Sequence, residues 1–418
     1  MWLLYQLLLA GALLVAAPFL LVARGRHYLP TLGGRLGGHR GPAVEGALWL
    51  HAVSVGEARV AAALARRLDP GLPLLVTTIT PTGQAEARRL FADRAVIAYH
   101  PFDLDFAVGR FLRRFAPRAL VLIEGDHWPL TLRRAAARGL PIAVANGRVG
   151  DRSFARLSRL GPLARALFAP VERFAVQSER DRERLRALDV PEARVAVTGN
   201  LKFDAPPAEP SPELAAAVET AAAGRPLLVA GSTMASEEAL VLDAFAGSGD
   251  GEAALLVLAP RHPERWPEVA SLLDRRGLAW VRRSALPSAG RPAVLLLDSL
   301  GELPGLYALA RAAFIGGTLV PTGGHNPIEP AGHGIAIAVG PSLHNFAEIA
   351  ERFDAALAWR RVADSEELGA AFADWLARPP EAAALGARAR ALVAGERGAV
   401  ERTLEFLAPL LEGARGAA

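Results

Sequence analysis

The chain has 418 residues, a length that suggests two ordinary domains rather than one. Apolar residues make up 51% and charged residues 22%, so sizeable cores are available at a charge density near the globular norm. There is no cysteine, which excludes disulfides, thiolate metal sites and a catalytic thiol, and a net charge of +4 without a basic and aromatic stripe argues against a nucleic-acid binder.

The basic residues are unusually skewed. Of 47, one is a lysine, Lys202, and the chain has four asparagines, Asn146, Asn200, Asn326 and Asn345. Arginine replaces lysine at little cost on a solvated surface, but not where a compact ammonium on a thin stem is needed. Lys202 is therefore a candidate before any motif is considered, with chance survival as the bland alternative.

In chain order, Trp2 to Ala23 carries no charged residue and is about long enough to span a bilayer as a helix. Arg24, Arg26, Arg35 and Arg40 follow, and this basic flank predicts a cytoplasmic location for what comes next. The expectation is a membrane anchor over residues 1–24, with a monotopic helix as its main rival. Short apolar runs then alternate with Ala/Leu/Arg-rich helical segments. Strands are predicted at Ala47 to Val53, Leu74 to Thr78, Ala95 to Tyr99, Ala119 to Ile123, Ile142 to Ala145, Phe174 to Val176 and Val195 to Thr198. Nearly continuous apolarity, rather than alternation, points to a parallel sheet covered on both faces. The first α/β domain spans 25–204, and the Pro-rich segment 205–212 is read as a stiff linker. A second α/β domain follows over 213–418, with strands at Leu227 to Ala230, Ala254 to Ala259, Val294 to Leu297, Ala312 to Ile315 and Ile335 to Val339. Two doubly wound α/β domains facing a cleft would place ligands outside the carboxyl ends of their strands.

Candidate chemistry sits at those strand ends. His51-Ala-Val-Ser-Val-Gly-Glu57 puts Glu57 in the first turn of a helix. It is a general-base candidate, although the macrodipole alone favours glutamate there and lowers its pKa unless burial or charge offsets it. Glu124, Asp126 and His127 cluster after the strand from Ala119, where a solvated loop with Trp128 packed on the sheet is the alternative. Lys202 lies in Gly199-Asn-Leu-Lys-Phe-Asp204, where a cation could stabilise a departing phosphate or an acidic sugar. Arg261, in Pro260-Arg-His-Pro-Glu-Arg265, has the fork suited to a phosphate or carboxylate. The richest segment is Phe314-Ile-Gly-Gly-Thr-Leu-Val-Pro-Thr-Gly-Gly-His-Asn-Pro-Ile-Glu-Pro330. Asn326, Pro327 and Glu329 read as N-cap, N1 and N3 of a helix. The four glycines before them suggest backbone amides approaching a phosphate.

HAVSVGE at His51, NGRVGDRSF at Asn146, QSERD at Gln177, VTGNLKFD at Val197, PRHPER at Pro260, LGELPGLY at Leu300, the segment at Phe314 and GPSLHNF at Gly340 form an ordered set across nearly the whole chain. In this set the chain closely resembles the bacterial Kdo (3-deoxy-D-manno-oct-2-ulosonic acid) transferases. The resemblance implies a GT-B architecture of two Rossmann-like domains. It also implies inverting transfer of Kdo from CMP-Kdo to a lipid A precursor at the inner membrane, with the catalytic domains on the cytoplasmic side and neither metal nor cofactor. It further implies that Glu57 is the general base and that Glu124 and Lys202 stabilise the transition state. By the same resemblance Pro260, Arg261, Leu300, Gly301, Glu302, Asn326, Pro327, Ile328 and Glu329 bind CMP. The chain departs from the family at Glu124-Gly-Asp-His-Trp-Pro129, where E-T-E-L-W-P is usual, at Met234, where a histidine is frequent, and at Asn146-Gly-Arg148, where N-A-R is usual. Another GT-B enzyme using a different nucleotide sugar, or a non-catalytic membrane-anchored protein of that fold, is the alternative reading.

Overall fold

The computed structural model describes residues 2–39, 41–248, 250–287 and 290–413. The chain divides into two compact units, one of Met1–Ala205 with Glu396–Ala418 and one of Pro206–Gly395.

The first unit is built on β1 (Leu48–His51), β2 (Leu74–Thr78), β3 (Ala95–Tyr99), β4 (Ala119–Ile123), β5 (Ile142–Gly147), β6 (Arg173–Val176) and β7 (Val195–Val197). They form one sheet in the order β3-β2-β1-β4-β5-β6-β7, and every pairing is parallel. Strand apolarity is continuous because both faces are covered. Leu48, Leu50, Leu74, Val76, Val121 and Ile123 pack into one core, while the alternating Trp49, Leu75, Leu120 and Leu122 pack into another. The order reverses between β1 and β4, the point where a doubly wound sheet leaves a crevice at its carboxyl edge.

The second unit repeats the plan with β8 (Leu227–Thr233), β9 (Leu255–Pro260), β10 (Trp280–Arg282), β11 (Val294–Leu296), β12 (Ala310–Ile315), β13 (Ala336–Val339) and β14 (Arg360–Arg361). The order is β10-β11-β9-β8-β12-β13-β14, again all parallel, with its switch point between β8 and β12. Leu228, Ala230, Leu256 and Leu258 face one core, and Leu227, Val229, Leu255 and Val257 the other. The edge strands β10 and β14 escape a sequence reading because Trp-Val-Arg and Arg-Arg are short, polar and incompletely buried.

Two expectations need correcting. The second domain does not run to the C-terminus, because the helix Ala399–Gly413 belongs to the first unit. Its Val400, Leu407, Leu410 and Leu411 complete a core containing Val60, Leu64 and Leu201. Asp204 accepts from the amides of Gly398 (2.6 Å) and Val400 (2.5 Å) at the start of this helix, and Thr403 Oγ1 donates to Thr198 Oγ1 (2.8 Å). Local sequence shows an amphipathic helix but not which core receives its apolar side.

The second correction concerns the N-terminal segment, a helix over Trp2–Arg35 that runs through the basic flank. Among the described residues, no helix is long and apolar enough to cross a membrane. The side chains of residues 2–4 and 16–28, hence much of the proposed anchor with Arg24 and Arg26, and all of Arg40, lie outside the described residues. Arg35 is not a lipid-facing flank residue. It is 4% exposed, bonds to the carbonyl of Ile79 and stacks over the Tyr99 ring at 4.4 Å. Tyr5 Oη donates to Asp103 (3.0 Å), and the carbonyl of Arg35 accepts from the adjacent Phe102 (2.7 Å). A straight helix would hold these two residues about 45 Å apart, so the segment bends back between them.

Candidate active site

In the first unit the site grows from the carboxyl ends of β1 and β4. Ser54 caps the helix Val55–Ala65, and its hydroxyl accepts from the amide of Glu57 (3.4 Å). In return the Glu57 carboxylate accepts from the Ser54 hydroxyl (3.0 Å) and the Val53 amide (2.7 Å). This is a capping box whose acid reaches one residue further back than usual. A solvated capping glutamate would stay acidic, but burial pushes the Glu57 carboxyl up to about 7. The bond from Val53 opposes that rise, and the charges of Glu124 and Asp126 reinforce it. A capping residue thereby becomes a carboxylate basic enough to take a proton near neutrality.

Glu124 follows β4 with φ 62°, in the left-handed region, and Gly125 continues there at φ 103°. The turn is fixed by β5, since the Glu124 amide donates to Ala145 (3.0 Å) and its carbonyl accepts from Arg148 (3.2 Å). A non-glycine residue held there costs about 1 kcal/mol or more, a strain that clusters at functional sites. Glu124 Oε1 meets Lys202 Nζ at 2.6 Å and accepts from Asn146 Nδ2 at 3.2 Å. Thus the lysine singled out by rarity pairs with the glutamate singled out by strand position. Their joint organiser, Asn146, was not assigned a role from sequence. It is fully buried at φ 57°, and its Oδ1 accepts from the Leu201 amide (2.9 Å) while Gln177 Nε2 donates to its carbonyl (2.9 Å). Asn200 Oδ1 then accepts from the Lys202 amide (3.0 Å). The scarcity of asparagine was the available signal.

The histidines nearby are structural. His127 packs edge-on against Phe168 (4.9 Å), and burial pushes it down to about 4. His51 is buried, pushed down to about 3 by desolvation, and accepts from Trp128 Nε1 at 3.1 Å. Because indole is only a donor, the His51 proton must sit on Nδ1, which reaches Thr77 Oγ1 at 2.9 Å. Among the described residues no group of three or more metal-ligating side chains occurs.

In the second unit the expected donor residues line the carboxyl edge of the sheet. Pro260 ends β9, and the Arg261 amide donates to Thr233 at the end of β8 (2.9 Å), leaving an exposed side chain. After β11, Leu300 is 74% exposed and Gly301 has φ +86°. Glu302 is held by two bonds from Arg283 (3.0 and 2.9 Å) and one from Ser299. Arg283 was missed because it lies on the unrecognised edge. Asn326 Oδ1 accepts from the Ile328 amide (3.1 Å), so Asn326 supplies the capping bond although the helix Ile328–His333 begins one residue later than read. Glu329 lies close enough to Tyr307 to push its phenol up, after burial.

The glycine-rich loop differs from expectation. A Cβ on Gly316 would fall 2.3 Å from the Ser232 carbonyl, so glycine is required where β12 leaves the sheet beside β8. The amides that were expected to cradle phosphate are already bonded. Glu237, 0% exposed, accepts from Gly317 (2.6 Å), Thr318 (3.0 Å), Leu319 (3.0 Å) and Met234 (3.1 Å). Sequence reading missed it because Glu237 looks like any first-turn glutamate.

Comparison with known proteins agrees with the motif reading. Residues 31–205 match the family described as 3-deoxy-D-manno-octulosonic-acid transferase (kdotransferase). The chain is 37% identical over 399 residues to the 3-deoxy-D-manno-octulosonic acid transferase of Bordetella pertussis, covering 91% of each. It is 32% identical over 378 residues to that of Haemophilus influenzae, covering 87% of each. By structure it is similar to the UDP-GlcNAc 2-epimerase of Neisseria meningitidis, with TM-score 0.60 at 12% identity over 87% of this chain and 100% of that one. That likeness shows the GT-B-like fold alone.

Proposed function

The chain belongs to the 3-deoxy-D-manno-octulosonic acid transferase family, and on that premise we propose that it moves Kdo from CMP-Kdo to a hydroxyl of a lipid A precursor with inversion. The observation that carries the mechanism is Glu57, a carboxyl raised by burial to about 7 near the Glu124–Lys202 salt bridge. The acceptor oxygen attacks the anomeric carbon as the bond to the CMP phosphate breaks. The bonding pair leaves with CMP, and the hydroxyl proton passes to a Glu57 oxygen. Glu124 offers negative charge to the oxocarbenium-like transition state, and the contact with Lys202 at 2.6 Å fixes its position. CMP departs as a monoester, less charged than a nucleoside diphosphate. We assign the offset of that charge to Arg261, so the reaction should need no metal and a chelator should leave its rate unchanged.

The acceptor is amphiphilic, and we place the enzyme on the cytoplasmic face of the inner membrane. Leu7, Leu8, Leu14 and Val15 are 62–75% exposed on the N-terminal helix, an apolar side suited to a lipid interface. Flotation with anionic vesicles should be lost in Leu8→Glu/Leu14→Glu. Flotation that persists removes this helix from the membrane contact.

The central test is CMP release from CMP-Kdo in detergent, with and without a lipid A precursor. Acceptor-dependent release that disappears in Glu57→Ala is expected. CMP binding without release under any acceptor would overturn the assigned acceptor, and UDP binding in preference to CMP would overturn the donor.

A further inference from the structure

We propose that Glu237 is a positioning residue for donor binding. Its carboxylate fills the amide nest of the loop after β12, fixes the segment carrying His325 and Asn326–Glu329, and leaves the donor phosphate to side chains at the rim, Arg261 and His325. The proposal deepens the CMP-Kdo reading and rests on it.

Glycine-rich turns after a strand hold anions because successive N–H groups converge. Here they converge on a carboxylate from the same unit. Three of its four donors are consecutive amides, Gly317, Thr318 and Leu319, and the fourth is Met234, in the turn that leads to Glu237 itself. The nest is held from outside as well. Thr318 Oγ1 donates to the Ile315 carbonyl (2.5 Å) and accepts from the Gly340 amide (2.8 Å). The Gly317 carbonyl accepts from Gly324 (2.8 Å) and Thr322 Oγ1 (3.0 Å), closing the loop just before His325.

The geometry moves the phosphate site outward. A Cβ on Gly317 would lie 3.2–3.3 Å from the His325 ring, so imidazole covers the nest. His325 Nε2 is buried and has no hydrogen-bond partner. Burial first, then the neighbouring Arg261 and His262, push its pKa down to about 4, so the ring is neutral near pH 7. Glu237 thus tethers the start of the loop that carries His325 and Asn326.

The test is hydrogen exchange at the amides of Gly317, Thr318 and Leu319, followed by NMR in wild type and Glu237→Gln, with and without CMP. Donor KM, CMP Kd and kcat are measured alongside. In wild type these amides should be protected before CMP is added and gain nothing from it. In Glu237→Gln they should exchange faster, CMP Kd and donor KM should rise about tenfold or more, and kcat at saturating donor should stay within about twofold. Glu237→Asp, which keeps the charge, should recover part of the affinity. New protection on adding CMP to wild type would overturn the proposal, even if the glutamine variant fails to fold. So would a loss of kcat with CMP affinity intact, the signature of a structural role alone. If wild type binds no CMP yet Glu237→Gln frees the amides, the donor assignment fails while the tether stands.

Discussion

Glu57 shows how one residue carries two demands. Its pattern, Ser-x-x-Glu at a helix start, is explained fully by capping, and only burial raises its carboxyl into the range the proposed base requires. With the carboxyl titrating near 7, kcat/KM should rise with pH up to about 7 and then level off. Glu57→Gln should flatten that profile and lower the rate by about 10²–10⁴. The linkage runs against stability. The folded value lies above the ordinary 4.5, so the native state keeps a proton that the unfolded chain has released. Stability falls as pH rises from about 4.5 to 7, by up to about 3 kcal/mol. Glu57→Gln removes that cost, so thermal unfolding at pH 8 should show an inactive variant with a Tm no lower than wild type. Lys202 invites a sharper substitution. Arginine stands at every other Lys/Arg position, yet a planar fork does not fit where an ammonium meets Glu124 at 2.6 Å. Lys202→Arg should therefore lose about as much kcat as Lys202→Ala, and recovery of activity would show that charge alone matters.

At the scale of elements, the strands were legible where both faces are buried, because a continuous apolar run of five or six residues is its own signal. The edges β10 and β14 carried no such signal. The ends of the central strands depend on backbone proximity that residue type only hints at. Gly316→Ala would place a methyl 2.3 Å from Ser232 O, forcing the end of β12 away from β8. Donor KM should rise about tenfold or more, with little change for the acceptor. The helix Ala399–Gly413 offers a second check. Leu407, 1% exposed, sits in the first unit's core, so Leu407→Ala should cost about 2–5 kcal/mol. Hydrogen exchange should then quicken in β1 and β2 while β8 and β9 stay protected. The opposite pattern would return this helix to the second unit.

Across the whole molecule, the proposed chemistry is partitioned by unit. Glu57, Glu124, Asn146 and Lys202 all belong to the first, while Arg261, Glu302, Glu237 and Asn326 all belong to the second. Substitutions should therefore separate kinetically. Lys202→Ala should lower kcat with CMP affinity unchanged, and Arg261→Ala should raise CMP Kd and donor KM with a smaller effect on kcat, as calorimetry and initial rates would read. Mixed effects from both would mean that donor contacts extend beyond the second unit.

The sequence by itself determined the family, the two parallel α/β units and the break near residue 205, and it nominated Glu57, Glu124 and Lys202 as candidates. Each of these is written in local pattern: apolar runs, a proline-rich break, residues placed at strand ends, and a lysine where no other occurs. Tertiary structure alone decided that burial raises the Glu57 carboxyl, that Asn146 joins Glu124 to the turn before Lys202, that the last helix returns to the first unit, and that Glu237 occupies the amides of the glycine loop. These facts depend on contacts between residues tens to hundreds apart in the chain, where desolvation and hydrogen-bond partners, not residue type, set what a carboxylate or an amide can do.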